Sequence, residues 1–103
     1  MTAQLRVYRV EDGRLDEFVR AWQEQVKPLR ERFGFRVAGA WAMPEDQRFA
    51  WIVEHDDPET FAEQERAYYS SPERAAMDPD PGKILTEVQA WFITEVPGGP
   101  QTH

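Results

Sequence analysis

Between residues 15 and 33, Leu15, Phe18, Val19, Trp22, Val26, Leu29 and Phe33 recur at three- and four-residue steps. At about 100° per residue they fall within an arc of roughly 100°, and Glu17, Arg20, Glu24, Lys27 and Glu31 lie outside it. A helix with one apolar stripe has to bury that stripe against something flat and apolar. Pro28 sits inside this helix and cannot donate to the carbonyl of Glu24, so a kink or split is predicted near Val26 and Lys27. Gly34 then fits a left-handed C-cap.

The flanking segments supply the flat partner. Residues 4–10 carry Leu5, Val7, Tyr8 and Val10 and read as a strand, which Asp12-Gly13 ends. Residues 35–43 alternate, with Phe35, Val37, Gly39, Trp41 and Met43 expected on one face. Residues 48–55 put Phe49, Trp51, Val53 and His55 on one face. The short turn at 44–47 makes these two strands an antiparallel hairpin. Asp57-Pro58-Glu59 is a strong helix start, and that helix runs over residues 58–70. A short helical turn follows through Met77. Residues 78–82 break it, residues 84–96 form the last strand, and 97–103 read as a loose tail.

The order is β-α-β-β-α-β, the ferredoxin-like pattern of an α+β fold: a four-stranded antiparallel sheet with both helices on one face. The 103 residues fit a single domain, 1–103, with its core over about 4–96. All four strands are apolar on both faces, yet two helices cover only one. A second copy packed on the bare face resolves this, so a homodimer in the form of a twofold dimeric α+β barrel is expected.

Charge narrows the partners. Lys and Arg number 12 against 19 Asp and Glu, a formal charge of −7, and the bases are scattered among acids. Nucleic acid and anionic membrane are therefore poor partners. There is no cysteine, which removes disulfides, thiol nucleophiles and thiolate metal sites. No apolar run approaches the ~20 residues of a membrane span, and the N-terminus lacks a signal-peptide core, so a cytoplasmic protein is expected. No cofactor and no metal site are expected.

Several segments in this order resemble the NIPSNAP family: Leu5-Arg6-Val7-Tyr8, Gly13-Arg14-Leu15-Asp16-Glu17-Phe18, Trp22, Val26-Lys27-Pro28-Leu29, Gly34-Phe35, Gly39-Ala40-Trp41, Phe49-Ala50-Trp51, Asp57-Pro58-Glu59 and Tyr68-Tyr69-Ser70-Ser71-Pro72-Glu73. The resemblance runs from Leu5 to about Val96. It implies the dimeric α+β barrel and no single activity. The wider superfamily it points to includes cofactor-free monooxygenases and haem-degrading enzymes, whose catalytic patterns do not map onto these residues.

Candidate site residues follow from chemistry. His55 ends a strand before Asp56 and Asp57; it reads as a general base or haem ligand, or as a polar strand end bonded to the next loop. Trp41 and Trp51, on paired strands, are expected as a cross-strand pair or a ligand wall. Tyr8, Trp51 and His55 share a face if the first and third strands are neighbours, and would line a cleft with His55 as its polar end. Such a cleft needs a volume of about 300 Å³ or more; below that, plain packing is the better account of these residues. Tyr68 and Tyr69 also offer hydroxyls, but they point different ways on a helix, so at most one, with Tyr68 taken as the candidate, is expected to enter the same cleft. Asp16, Glu17, Glu63 and Glu65 read as solvated helix faces. Three readings fit these residues: a NIPSNAP-like dimer binding a small apolar or aromatic molecule, a cofactor-independent monooxygenase or isomerase using His55 and a tyrosine, and a pure interaction protein. No residue is assigned as catalytic.

Overall fold

A computed structural model of the chain describes residues 1–98. The strands are β1 (Thr2–Val10), β2 (Arg36–Met43), β3 (Arg48–His55) and β4 (Leu85–Ile93); the helices are α1 (Leu15–Ala21), α2 (Lys27–Arg32), α3 (Pro58–Ser70) and α4 (Pro72–Ala75). The sheet is antiparallel, in the order β2-β3-β1-β4. This is the α+β ferredoxin-like architecture. β1 starts two residues earlier than the sequence predicts, because its pairing with β3 runs out to Thr2 opposite His55. β4 is shorter than predicted, with a 3₁₀ turn over Pro81–Ile84 before it. The expected tail at 97–103 falls largely outside the described residues.

The period-two pattern decides which face is covered. Gln4, Arg6, Tyr8 and Val10 of β1 and Phe49, Trp51, Val53 and His55 of β3 are all buried. They meet Phe18, Trp22, Val26 and Leu29 of the first helical segment and Phe61 and Tyr68 of α3 in one core. The opposite face carries Leu5, Val7, Ile52 and Trp91, since Leu5 pairs with Ile52 and Trp91.

The first helix is interrupted where Pro28 predicts. Trp22–Val26 is a π-helical segment, and the Lys27 N–H donates to the Trp22 carbonyl. Pro28 then sits in the first turn of α2. A π turn adds one residue relative to α-helical spacing. It therefore rotates everything downstream by about 100°. Leu29 stays buried, but Arg30 turns into the core at 1% exposure, whereas Phe33 is only half-buried.

β2 holds a second irregularity. Val37 pairs with Val53 and Gly39 with Ile52, so Ala38 is bulged out of register. The bulge reverses the alternation, which places Val37 on the helix side and Trp41 on the open face. Trp41 lies opposite Ala50, and Trp51 opposite Ala40. The expected Trp41–Trp51 cross-strand pair is therefore not formed. Trp41 instead folds along its own strand over Gly39, where an added Cβ would stand 2.6 Å from the ring.

Candidate functional site: an arginine–tyrosine cleft between sheet and helices

β1 presents Gln4, Arg6 and Tyr8 side by side on the covered face. Arg6 Nε donates to the Tyr8 hydroxyl at 2.6 Å, and Arg6 Nη1 donates to Gln4 Oε1 at 2.9 Å. Arg6 Nη2 reaches across to the Tyr69 hydroxyl on α3 at 3.2 Å. Arg30 comes to the same place from α2: its Nη2 donates to the Tyr69 hydroxyl at 3.2 Å, and its Nη1 donates to Glu65 Oε1. The second oxygen of Glu65 lies 3.6 Å from Arg6 Nη1. One carboxylate and one phenol thus bridge two guanidiniums.

Arg30 is buried away from solvent. Its guanidinium lies 4.1 Å from the ring centre of Tyr68, 5.0 Å from that of Phe35 and 5.5 Å from that of Trp51, an aromatic cage that attracts cations. Burial pulls the Arg6 pKa down, but Tyr8, Tyr69 and Glu65 outweigh it and hold the pKa above the ordinary arginine value. Burial pushes the Tyr68 pKa up, as desolvation disfavours the phenolate.

A cleft of about 180 Å³ opens beside this network, walled by the aromatic side chains of Tyr8, Phe18, Trp22, Trp51 and Tyr68. Arg6, Arg30, Tyr69 and Arg74 give it a polar side, and the exposed residues Tyr69 and Val88 mark its mouth between α3 and β4. Larger depressions of about 390, 420 and 250 Å³ exist, but they are lined largely by charged helix-surface and loop side chains, and none has the aromatic walls of this cleft. Among the described residues, three buried donors have no hydrogen-bond partner: Trp22 Nε1, Arg30 Nε and Trp51 Nε1. All three residues line the cleft.

The sequence-predicted residues divide. Tyr8, Trp51 and Tyr68 line the cleft, Trp41 is on the opposite face of the sheet, and His55 does not line the cleft. His55 is fully engaged: Nε2 bonds the Phe33 carbonyl at 3.2 Å, and Nδ1 accepts from the Asp56 N–H at 3.0 Å. With Nδ1 accepting, Nε2 is the ring nitrogen left to donate to the Phe33 carbonyl. Its edge meets Phe35 at 5.0 Å, and Gly34 packs so close that a Cβ there would lie 2.8 Å from Nε2. His55 is thus a strand-end packing residue, not the polar end of a ligand cleft. Glu65, read as a solvated helix carboxylate, instead pairs with two buried arginines. Tyr68 and Tyr69 both line the cleft, although at most one was expected to enter it, because Tyr69 at the mouth reaches in with its hydroxyl; Arg6, Arg30 and Glu65 are the residues that sequence reasoning did not place in a site.

The NIPSNAP family profile matches residues 3–98. The chain belongs to the NIPSNAP family. Its fold is that of two solved family proteins. One, from Burkholderia xenovorans, is 20% identical with a TM-score of 0.83, covering 97% of this chain and 99% of the other. The second, from Agrobacterium tumefaciens, is 12% identical with a TM-score of 0.85 and 96% coverage of both chains. An antibiotic biosynthesis monooxygenase shares the fold more distantly, at 13% identity and a TM-score of 0.67, with 94% and 100% of the two chains covered. No curated protein matches the chain. Among the described residues, no cluster of His, Cys, Asp and Glu is arranged to hold a metal, and no helix is long and apolar enough to cross a membrane.

Proposed function

We propose that this NIPSNAP protein binds a small aromatic or apolar molecule, one ring in size, in the cleft between β1, α2 and α3. The aromatic-walled volume of about 180 Å³ carries this reading. It lies below the roughly 300 Å³ of ordinary ligand pockets. A cavity of about 150 Å³, however, accommodates benzene. The size therefore selects a single ring with a small substituent. Titrating single-ring compounds while following tryptophan fluorescence tests this, because Trp22 and Trp51 form the walls. Binding that quenches the wild type and is abolished by Phe18→Trp, which fills the cleft, supports it. No response to any ring-sized compound overturns it.

A second reading, a cofactor-independent monooxygenase or isomerase, is favoured by one observation: phenol hydroxyls held by arginines in a fold shared with an antibiotic biosynthesis monooxygenase. With both His55 nitrogens engaged, such chemistry would fall to Tyr8 and Tyr69. Oxygen uptake with a hydroquinone and no added cofactor, lost in Tyr69→Phe, is its test.

We also propose that a second copy covers the open sheet face. Four strands spaced about 4.8 Å apart and about 28 Å long offer on the order of 500 Å². Two such faces, corrugated by Trp41, Trp91, Leu5 and Ile52, reach the roughly 1,000 Å² that a specific interface needs. Trp41 and Trp91 are each about half exposed, an unusual state for two tryptophans on a lone sheet. Sedimentation at micromolar concentration should give a dimer that Ile52→Glu dissociates; a wild-type monomer refutes this.

A further inference from the structure

Resting on the ligand-cleft reading, we infer that the ligand is an anion: a small ring bearing one negatively charged oxygen group, of which an aromatic carboxylate is the simplest form. The cleft's charge balance is the first observation. Arg6 and Arg30 share the carboxylate of Glu65, and among the described residues no other acid pairs with either. Arg74, the third arginine at the cleft, has its own partner in Asp80 at 3.2 Å. The cluster of Arg6, Arg30 and Glu65 therefore carries one surplus positive charge. Arg30 is 1% exposed and Arg6 8%. A surplus charge taken that far out of water is costly unless something of opposite sign meets it.

The second observation is the set of unused donors. Arg30 Nε has no acceptor, nor do Trp22 Nε1 and Trp51 Nε1, and all three side chains line the cleft. Native interiors leave very few buried donors unpaired; these three nitrogens have no surface open to the cleft, so they mark an unsatisfied polar wall behind it and not the ligand contact itself. The hydroxyls of Tyr8 and Tyr69 add to this. Each accepts from a guanidinium. A hydroxyl that accepts still has a proton to donate, and both tyrosines line the cleft. Every polar side chain lining the cleft is thus a cation or can donate. The aromatic walls take the ring, and the Tyr8, Tyr69 and arginine side takes the charged oxygen.

Three isosteric probes test this: benzoate, benzamide and benzyl alcohol, titrated onto the wild type, Tyr8→Phe, Tyr69→Phe and Arg6→Met. Benzoate should bind at least tenfold more tightly than either neutral probe, and its advantage should shrink as salt is raised. Tyr8→Phe, which keeps the core ring, should lose severalfold in benzoate affinity and leave benzyl alcohol unchanged. Arg6→Met should erase the preference; if that variant does not fold, the two tyrosine variants carry the test. Equal binding of benzoate and benzyl alcohol overturns the anion assignment and leaves the ring-binding cleft standing. Failure of all three probes overturns the cleft itself.

Discussion

Glu65 is the one negative charge between two buried positive ones, so replacing it with glutamine probes the whole network without changing its shape. Arg6 and Arg30 both donate to the Tyr69 hydroxyl at 3.2 Å, so their Nη2 atoms are no further apart than twice that distance. At an effective dielectric constant near 20, two charges about 6 Å apart repel by roughly 3 kcal/mol. In the wild type each guanidinium also attracts Glu65, with Arg6 Nη1 at 3.6 Å from Oε2, a term of about 4–5 kcal/mol on the same scale. Glu65→Gln removes both attractions and keeps the repulsion. Broken buried pairs cost about 3–5 kcal/mol, and the Glu65 side chain is 23% exposed, which places the loss at the lower end, about 3 kcal/mol. For a domain of this size that is a fall in Tm of about 12–24 °C. Urea titration gives the free energy, and adding Arg6→Gln should restore part of it by removing the repulsion. A Glu65→Gln loss under about 1 kcal/mol would mean that water already screens the two arginines, and the surplus-charge reasoning would fail with it.

Gly34 has φ of +86° and stands where a Cβ would lie 2.8 Å from His55 Nε2; Gly34→Ala should cost about 2–3 kcal/mol from the left-handed backbone and the overlap together. Adding His55→Ala should recover about 1 kcal/mol in a double-mutant cycle, and strict additivity would assign the whole cost to the backbone. Pro28→Ala should change stability by less than about 1 kcal/mol. It offers one backbone hydrogen bond worth about that much, whereas returning to α-helical register would pull Arg30 away from Glu65; a loss above about 2 kcal/mol, or fast exchange of the Lys27 amide, contradicts this. Tyr68 has a raised folded-state pKa from burial. Its contribution to stability is therefore complete below the ordinary tyrosine value of about 10 and declines as pH rises through the folded value. Tyr68→Phe should flatten the alkaline fall in stability and remove one step above pH 10 from the ultraviolet titration; an unchanged titration would contradict the burial effect.

The sheet and its helices were legible because they rest on local periodicity. Gln4, Arg6, Tyr8 and Val10 alternate strictly, and β3 does the same from Phe49 to His55, so the buried face follows from spacing once one member is placed. Trp41 was misplaced because one bulged residue, Ala38, reverses the alternation of everything after it. Nothing in Arg36-Val37-Ala38-Gly39 announces which residue will bulge, beyond a glycine, common at bulges. His55 gave no chemistry because its two nitrogens are taken by backbone groups, Phe33 O and Asp56 N–H, which carry no side-chain signature.

The arginine network was hidden for a different reason. It joins β1, α2 and α3, with Arg6 and Tyr69 63 positions apart, and no local pattern spans that separation. Arg30 alone had a readable cue. On an unbroken α-helix it lies about 80° from Trp22 on the helical wheel, at the margin of the apolar stripe. The π segment ahead of Pro28 sets it back by one residue's rotation, to within about 20° of the stripe's centre. A proline inside an apolar stripe therefore says more than that the helix bends. It says that the phase after the proline has to be recounted, and the recount moves a charged residue into the core. That residue meets Glu65 seven positions after Pro58, on the inner side of α3, where Phe61 and Tyr68 also point inward. Phe61, Glu65 and Tyr68 follow at four- and three-residue steps, so Glu65 occupies an inward position of an amphipathic helix. An acid at such a position calls for a buried base, and the recounted phase of Arg30 provides one.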